Sequence, residues 1–277
     1  MRLLTSFVFF FICLQLSSCT TILFQPVKEH TPLPDEVLEN VNDFYFESFD
    51  KAKLHGWHLS SRIKPDEPEQ TVLFLHGNAM NISNHLGGVY WLPDFGIEAY
   101  IFDYRGYGKS EGVPFLQGIL LDIDYAISTV ISRLDTNQKI WIIGHSVGAS
   151  MGIYAISQSR FKNRIKGYIA VSAFSDYHEV TRNFLSRHWS TWLFQWPLSY
   201  TVNNEYTPLA YIQDVSPVPV YFIHGEKDAI IKHDHSRVLY EHALEPKNLA
   251  VFKANHNDIF FHNDVKNYIL ELIVKSN

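Results

Sequence analysis

Cysteine is nearly missing. The 277-residue chain has two, Cys13 and Cys19, both within the first twenty positions. A disulfide framework is therefore excluded. Basic charge is also in short supply: 23 Lys and Arg face 29 Asp and Glu, a formal net charge of −6. A nucleic-acid binder needs a basic face to displace counterions from phosphate, so that class is set aside. Fourteen Gly and twelve Pro are too few for a low-complexity chain, and 15% aromatic residues are too many for a disordered one. No apolar run reaches the roughly 18 residues that a membrane-spanning helix requires. The length suits one large domain or two small ones.

What is present begins with an unusual N-terminus. Arg2 precedes a stretch from Leu3 to Leu16 dominated by Leu, Phe, Val and Ile, and Ser17-Ser18-Cys19 follows. A positive start, a short apolar segment and small residues before a break are the parts of a secretory signal. Leu16-Ser17-Ser18-Cys19 resembles the lipobox of bacterial lipoproteins. That resemblance implies a signal peptide over residues 1–18, a diacylglycerol-modified Cys19 and a lipid-anchored protein of the bacterial cell envelope. Each buried methylene contributes about 0.8 kcal/mol, so two or three chains would hold the protein firmly to a membrane. Thr20 stands where Asp would suggest retention in the inner membrane, which favours the outer membrane. Residues 19–40, with Pro26, Pro32 and Pro34 and few periodic apolar positions, read as a tether to a domain spanning 41–277.

Within that domain strand-like and helix-like patterns alternate. Strands are expected at Phe44–Phe49, Leu54–Leu59, Thr71–Leu75, Glu98–Phe102, Lys139–Ile143, Gly167–Val171, Val218–Ile223 and Leu249–Phe252. Several are unbroken apolar runs, the pattern of a parallel sheet covered on both faces. The first two lie close enough in sequence to form an antiparallel edge. Leu116, Ile119, Leu120, Ile123, Ile127, Val130, Ile131 and Leu134 recur at spacings of three and four and give one helical face. Val265–Val274 reads as a final helix. The expected fold class is α/β, with a mostly parallel sheet of about eight strands flanked by helices. About 44 residues separate the strand ending near Ser172 from the next, too many for an ordinary connection. This insertion, about 174–217, is rich in aromatics (Phe184, Trp189, Trp192, Phe194, Trp196, Tyr200) and reads as a helical cap. It can pack as a core, bind an acyl group or touch a membrane interface.

Gly144-His145-Ser146-Val147-Gly148 follows an expected strand and precedes a helical stretch, Ala149–Ser157. This is G-x-S-x-G in the strand–turn–helix context that gives the pattern meaning. A turn this tight needs glycine on both sides of the serine and holds the hydroxyl out at a helix N-terminus. There the Val147 N–H and the helix dipole can stabilise an oxyanion. A serine hydroxyl needs a base and an orienting acid. Candidates follow in chain order: Asp228 in His224-Gly225-Glu226-Lys227-Asp228 and His256 in Ala254-Asn255-His256-Asn257-Asp258, each after its own strand.

Leu75-His76-Gly77-Asn78-Ala79, Asp103-Tyr104-Arg105-Gly106-Tyr107-Gly108-Lys109-Ser110, the serine turn and the two later turns together resemble the α/β-hydrolase superfamily. They are most similar to its depalmitoylase-like and serine-aminopeptidase-like branch, from about Phe44 to the C-terminus. The resemblance implies an α/β-hydrolase fold, Ser146 as nucleophile, His256 as general base then acid, and Asp228 as orienting carboxylate. It also implies the Asn78 backbone N–H as a second oxyanion donor. Ala149-Ser150 departs from the second glycine common after the serine turn, and Ala is still small enough for close packing.

Asp176 and Asp258 are competing acids. Asp103 and Arg105 are expected to organise their loop through charge-assisted hydrogen bonds. His76 and His224 end strands and read as satisfied structural residues. The closest histidine sets, His55-x-x-His58 and His233-Asp234-His235, lack the spacing of a helical metalloenzyme site, so no metal or other cofactor is expected. The expected activity is hydrolysis of an ester or thioester with an apolar acyl group. A peptidase or amidase using the same residues, and a non-catalytic envelope scaffold, stand as alternatives. Oligomeric state is left open.

Overall fold

The computed structural model of the protein describes residues 24–65, 67–187 and 189–275. The stretch that reads as a signal peptide, with Cys13 and Cys19, lies outside these residues. Among the described residues no helix is long and apolar enough to cross a membrane.

The described residues form eight strands, β1 (Asn42–Glu47), β2 (Lys53–Leu59), β3 (Gln70–Leu75), β4 (Ile97–Phe102), β5 (Ile140–His145), β6 (Ile165–Val171), β7 (Val220–Gly225) and β8 (Lys247–Phe252). They form one sheet in the order β1-β2-β4-β3-β5-β6-β7-β8. The β1–β2 and β2–β4 pairs are antiparallel, and every later pair is parallel. This is the α/β-hydrolase fold expected from the sequence. β4 and β5 are buried along their whole length because helices cover both faces.

On one face lie α3 (Leu116–Ile131), α4 (Val147–Gln158) and α9 (Asp234–His242). They bury Ile119, Ile123, Met151 and Leu239 against Tyr168 and Phe222 of the sheet. On the other, α10 (Asn263–Lys275) packs Val265, Ile269 and Ile273 against Trp57, Trp141 and Ile169. The helix expected to reach Leu134 stops at Ile131, and Leu134 packs partly buried beyond its end. α3 also buries Asp122, which takes a two-point hydrogen bond from Arg105 (2.8 and 2.7 Å) and so ties the loop after β4 to the helical layer.

Two segments shape the site. Between β6 and β7 the insertion folds into α5 (Tyr177–Leu185), α6 (Trp189–Trp192), α7 (Gln195–Ser199) and α8 (Pro208–Tyr211). α8 packs on α4, and α5 packs on α7. The other segment lies in the stretch that reads as a tether. Residues 24–40 are docked on the domain, with α1 (Asp35–Leu38) at their end and a short α2 (Ile82–His85) beside them. Phe24 is buried, and Pro26 forms a β-bridge with Met80. Asn81 Nδ2 donates to the carbonyls of Val27 (3.0 Å) and Glu29 (2.7 Å). Main-chain groups of Gln25, Val27 and Glu29 make these docking bonds, as donors and as acceptors.

Candidate active site

β5 ends in a turn that the two flanking glycines make possible. A Cβ on Gly144 would sit 2.6 Å from Ala149 Cα, and one on Gly148 would sit 2.3 Å from the Leu75 carbonyl oxygen. Between them Ser146 adopts φ +57° and ψ −121°, a conformation that costs a non-glycine residue about 1–3 kcal/mol. Its N–H donates to the Val171 carbonyl (2.9 Å), so the sheet holds the strained turn. α4 starts at Val147, whose N–H is one of the helix's free first-turn donors.

The loops after β7 and β8 bring the other two residues to this turn. Asp228 Oδ1 accepts from the N–H groups of Ile230 (2.8 Å) and Ile231 (2.7 Å). Its Oδ2 lies 2.6 Å from His256 Nδ1, and His256 Nε2 lies 3.0 Å from Ser146 Oγ. All three residues are buried. Burial alone would raise the Asp228 pKa. The hydrogen bonds from His224 and His256, the His256 charge and the Ile231 N–H outweigh it and hold the carboxyl well below the usual carboxylate range. With Asp228 ionised, the His256 proton belongs on Nδ1, and Nε2 is left to accept from the serine hydroxyl. Such a relay can draw a proton from Ser146 as it attacks a carbonyl carbon.

Two further histidines support the relay, and sequence reasoning passed over their part. His145, the variable residue inside G-x-S-x-G, donates from Nε2 to the His256 carbonyl (3.1 Å), with the two ring centroids 5.0 Å apart. Burial pushes its pKa far down, so it stays neutral. His224 is more than a satisfied strand end. Its Nε2 donates to the Ile231 carbonyl (2.8 Å), its Nδ1 accepts from Ser236 Oγ (2.7 Å), and Nε2 sits 3.3 Å from Asp228 Oδ2. His76 differs from expectation. Nδ1 donates to the Gly77 carbonyl (2.7 Å), but the buried Nε2 has no partner. Burial lowers its pKa to about 3.

A cavity of about 160 Å³ opens beside Ser146. Asn78 and Val147 line it with the serine, and Phe174, Val180, Phe184, Ile230 and Ile231 make its walls apolar. Thr181 contributes a buried hydroxyl with no hydrogen-bond partner. Gln25, from the docked N-terminal segment, completes the lining, and nothing in its proline-rich surroundings announced that role. Its N–H donates to Asn78 Oδ1 (3.1 Å). Ala79 and Met80 both have positive φ (+60° and +65°). Met80 is held there by its N–H to the Gln25 carbonyl (3.0 Å) and by the Val27 N–H to its own carbonyl (3.1 Å). The segment therefore braces the loop that presents Asn78. A wider cleft of about 500 Å³ between Gln70, Gln138 and Lys166 lies at the opposite ends of the strands, away from Ser146.

The competing acids lie elsewhere. Asp176 caps α5, accepting from the Glu179 N–H (2.8 Å) and from Asn204 Nδ2 (2.7 Å). Asp258 accepts from the Asn255 N–H (2.7 Å) within its own loop. Asp103 takes the Ile82 N–H (3.0 Å) on one oxygen and faces His30 (2.9 Å) and His55 (3.1 Å) on the other. Burial raises its pKa, and those two histidines and the Ile82 N–H more than reverse the effect. Among the described residues, His30, His55 and Asp103 are the one set with metal-ligand atoms within 4.8 Å of one another. Their hydrogen bonds to each other latch the N-terminal segment down. His55 and His58 are three residues apart on β2 and face opposite sides of the sheet, to Asp43 (2.8 Å) and Glu98 (2.8 Å), so they cannot share an ion.

Residues 66–216 match the family model described as serine aminopeptidase, S33. The chain is 34% identical over 225 residues to a protein of Escherichia coli (strain K12), "Uncharacterized protein YfhR", covering 79% of this chain and 75% of that one. Among solved structures, the Pyrococcus furiosus esterase Pf2001 superposes with a TM-score of 0.72 at 20% identity, over 91% of this chain and 98% of that one. Pyrococcus horikoshii acylaminoacyl peptidase superposes with a TM-score of 0.61 at 20% identity, over 83% of this chain and 40% of that one.

Proposed function

The chain belongs to the serine aminopeptidase S33 family of the α/β-hydrolase superfamily, and from that premise we propose that it is a serine esterase or thioesterase acting on small apolar acyl groups. Ser146 attacks the carbonyl carbon, His256 takes the hydroxyl proton, and Asp228 holds the imidazole in the required tautomer. The Val147 and Asn78 N–H groups receive the oxyanion. His256 then returns the proton to the leaving alcohol or thiol, and water hydrolyses the acyl-enzyme by the same steps. The observation that carries this reading is the hydrogen-bonded line from Asp228 through His256 to Ser146, at 2.6 and 3.0 Å, beside an apolar cavity.

The cavity supports the acyl class. An apolar void of about 150 Å³ holds a benzene-sized group, so 160 Å³ suits an acyl chain of about four to six carbons. Longer chains would have to leave through the mouth.

Peptidase action is the second reading, favoured by the family description. An aminopeptidase must bind a substrate ammonium group, and a carboxylate is the natural partner for it. None of the described residues lining the cavity is acidic, which supports the ester over the free amino terminus. We further propose that residues 1–18 are a signal peptide and that Cys19 carries lipid in a bacterial envelope, on the strength of Leu16-Ser17-Ser18-Cys19.

The test is a turnover series on purified protein. Aryl esters from acetate to decanoate are compared with aminoacyl amides. Maximal kcat/KM near butyrate to hexanoate, with little amide turnover, is the expected result. Turnover of aminoacyl amides alone would replace the esterase reading with the peptidase one.

A further inference from the structure

The cap carries a surface that the proposed hydrolysis does not use. From residue 189 to 204 the sequence contains no Asp, Glu, Lys or Arg. Over α6 and α7 the large side chains Trp189, Trp192, Leu193, Phe194, Trp196 and Tyr200 are all exposed, Trp189 to 85% of its surface. A monomeric soluble surface rarely gathers so much apolar area without a partner. Trp and Tyr beside Leu and Phe, with no charged residue in the run and the Arg182 guanidinium over the Trp196 ring (4.6 Å), is a composition that settles at the headgroup level of a bilayer.

The patch lies on the same cap as the cavity wall: α7 packs on α5, which carries Val180, Thr181 and Phe184 of the lining. Phe184 and Ile230 line the cavity and are also exposed, so the opening lies between them. Arg187 ties the end of α5 to that rim through the Ala229 (2.7 Å) and Ile230 (2.6 Å) carbonyls. Gln25 lines the same cavity and is exposed. Phe24, the first described residue, is its chain neighbour, and the apolar stretch Leu3–Leu16 precedes it in sequence. Four residues lie between Cys19 and Phe24, and the five Cα–Cα steps span at most roughly 18 Å when fully extended. A lipid carried on Cys19 would therefore enter a membrane within about that distance of Phe24, the chain neighbour of Gln25 in the cavity lining.

We infer that the exposed face of α6 and α7 is a membrane-docking surface. It seats the cap on a lipid bilayer with the mouth of the Ser146 cavity turned toward the headgroups, so that the enzyme draws its ester substrates from the membrane surface. The docking of the cap on lipid stands apart from the esterase reading, the supply of ester substrates rests on it, and the test does not depend on catalysis.

The distribution of tryptophan makes the test direct. Trp57, Trp91 and Trp141 are buried against the sheet, whereas Trp189, Trp192 and Trp196 are exposed. The full chain, carrying Ser146→Ala so that no hydrolysis intervenes, is mixed with phosphatidylcholine–phosphatidylglycerol vesicles whose acyl chains are brominated near the headgroup. Emission falls by roughly half, because three of the six tryptophans sit at the depth of the bromines. In the Trp189→Ala/Trp192→Ala/Trp196→Ala variant the remaining emission is unquenched, even if the N-terminal segment still holds the chain on the vesicle. Failure of the full chain to bind vesicles would overturn the inference. So would a vesicle-bound chain whose exposed tryptophans escape the bromines and remain open to aqueous iodide. Protection of those tryptophans without lipid, rising with protein concentration, would assign the surface to a second copy of the chain instead.

Discussion

Replacing Asp228 with Asn changes one atom and, in this site, reverses the direction of a proton. Oδ1 of Asp228 is fixed as an acceptor by the N–H groups of Ile230 and Ile231 (2.8 and 2.7 Å). An asparagine must keep its oxygen there, because its NH₂ would otherwise point donor to donor at two backbone N–H groups. The NH₂ is then forced into the place of Oδ2, facing His256 Nδ1 at 2.6 Å. A donor at that distance requires Nδ1 to accept, so the imidazole proton moves to Nε2. Nε2 then donates toward Ser146 Oγ, 3.0 Å away, and can no longer take its proton. A wrong-tautomer histidine costs a serine hydrolase about 10⁴ in kcat, which is about 5.5 kcal/mol of barrier. The assay is kcat on a butyrate aryl ester, with circular dichroism to establish that the fold is kept. The same geometry ranks two variants. Asp228→Asn is at least as inactive as Asp228→Ala, which leaves His256 free to choose its tautomer. An Asn variant within tenfold of the parent enzyme, or clearly better than Ala, would refute the reasoning and remove Asp228 from the relay.

Acid should unfold the protein earlier than its carboxylates alone require. Burial keeps His76 neutral down to about pH 3, while an unfolded histidine takes a proton near 6.5, so stability falls as pH drops below about 6.5. The loss for this one residue is about 2 kcal/mol between pH 6.5 and 5. His85 and His145 are lowered by burial and act in the same direction. Asp103 and Asp228, held low in the fold, add a further loss only below about pH 4. Urea unfolding at pH 7 and pH 5 measures this, and equal stabilities would contradict it. His30→Ala removes one clasp of the N-terminal segment on Asp103, and its loss should reach Asn78 through Gln25 and Met80. A drop in kcat of about tenfold with KM nearly unchanged is expected, and an unchanged kcat would show that the segment does not brace the loop. Thr181→Val removes a buried hydroxyl with no partner, so thermal denaturation should show a gain of about 1 kcal/mol. A clear loss of stability would mean that the hydroxyl is satisfied.

The central strands were readable because a parallel sheet covered on both faces leaves no alternation to disguise it. Val72 to Leu75 and Ile140 to Ile143 are continuous apolar runs that are buried throughout. Ser146, Asp228 and His256 follow three separate strands, β5, β7 and β8, an order legible in the sequence, and the fold brings them within hydrogen-bonding distance. The supporting histidines were harder. His145 lies inside the motif, but its bond runs to the main-chain carbonyl of His256, 111 residues away, and no residue type signals such a partner. His224 marked a strand end, and its approach to Asp228 depends on how the β7 turn folds back. The docking of residues 24–31 was the least legible feature. It rests mainly on backbone groups of Gln25, Val27 and Glu29, and side-chain composition says nothing about those. Phe24 and His30, an apolar and a titratable residue in a proline-rich stretch, were the available signals.

Covalent capture of the serine bears on the enzymatic reading more directly than any other experiment. Purified protein is incubated with a fluorophosphonate, and its intact mass and tryptic peptides are measured. One phosphonyl adduct on Ser146 is expected, absent from Ser146→Ala and strongly slowed in His256→Ala. A folded chain that takes up no label at Ser146 would mean that no imidazole activates that hydroxyl.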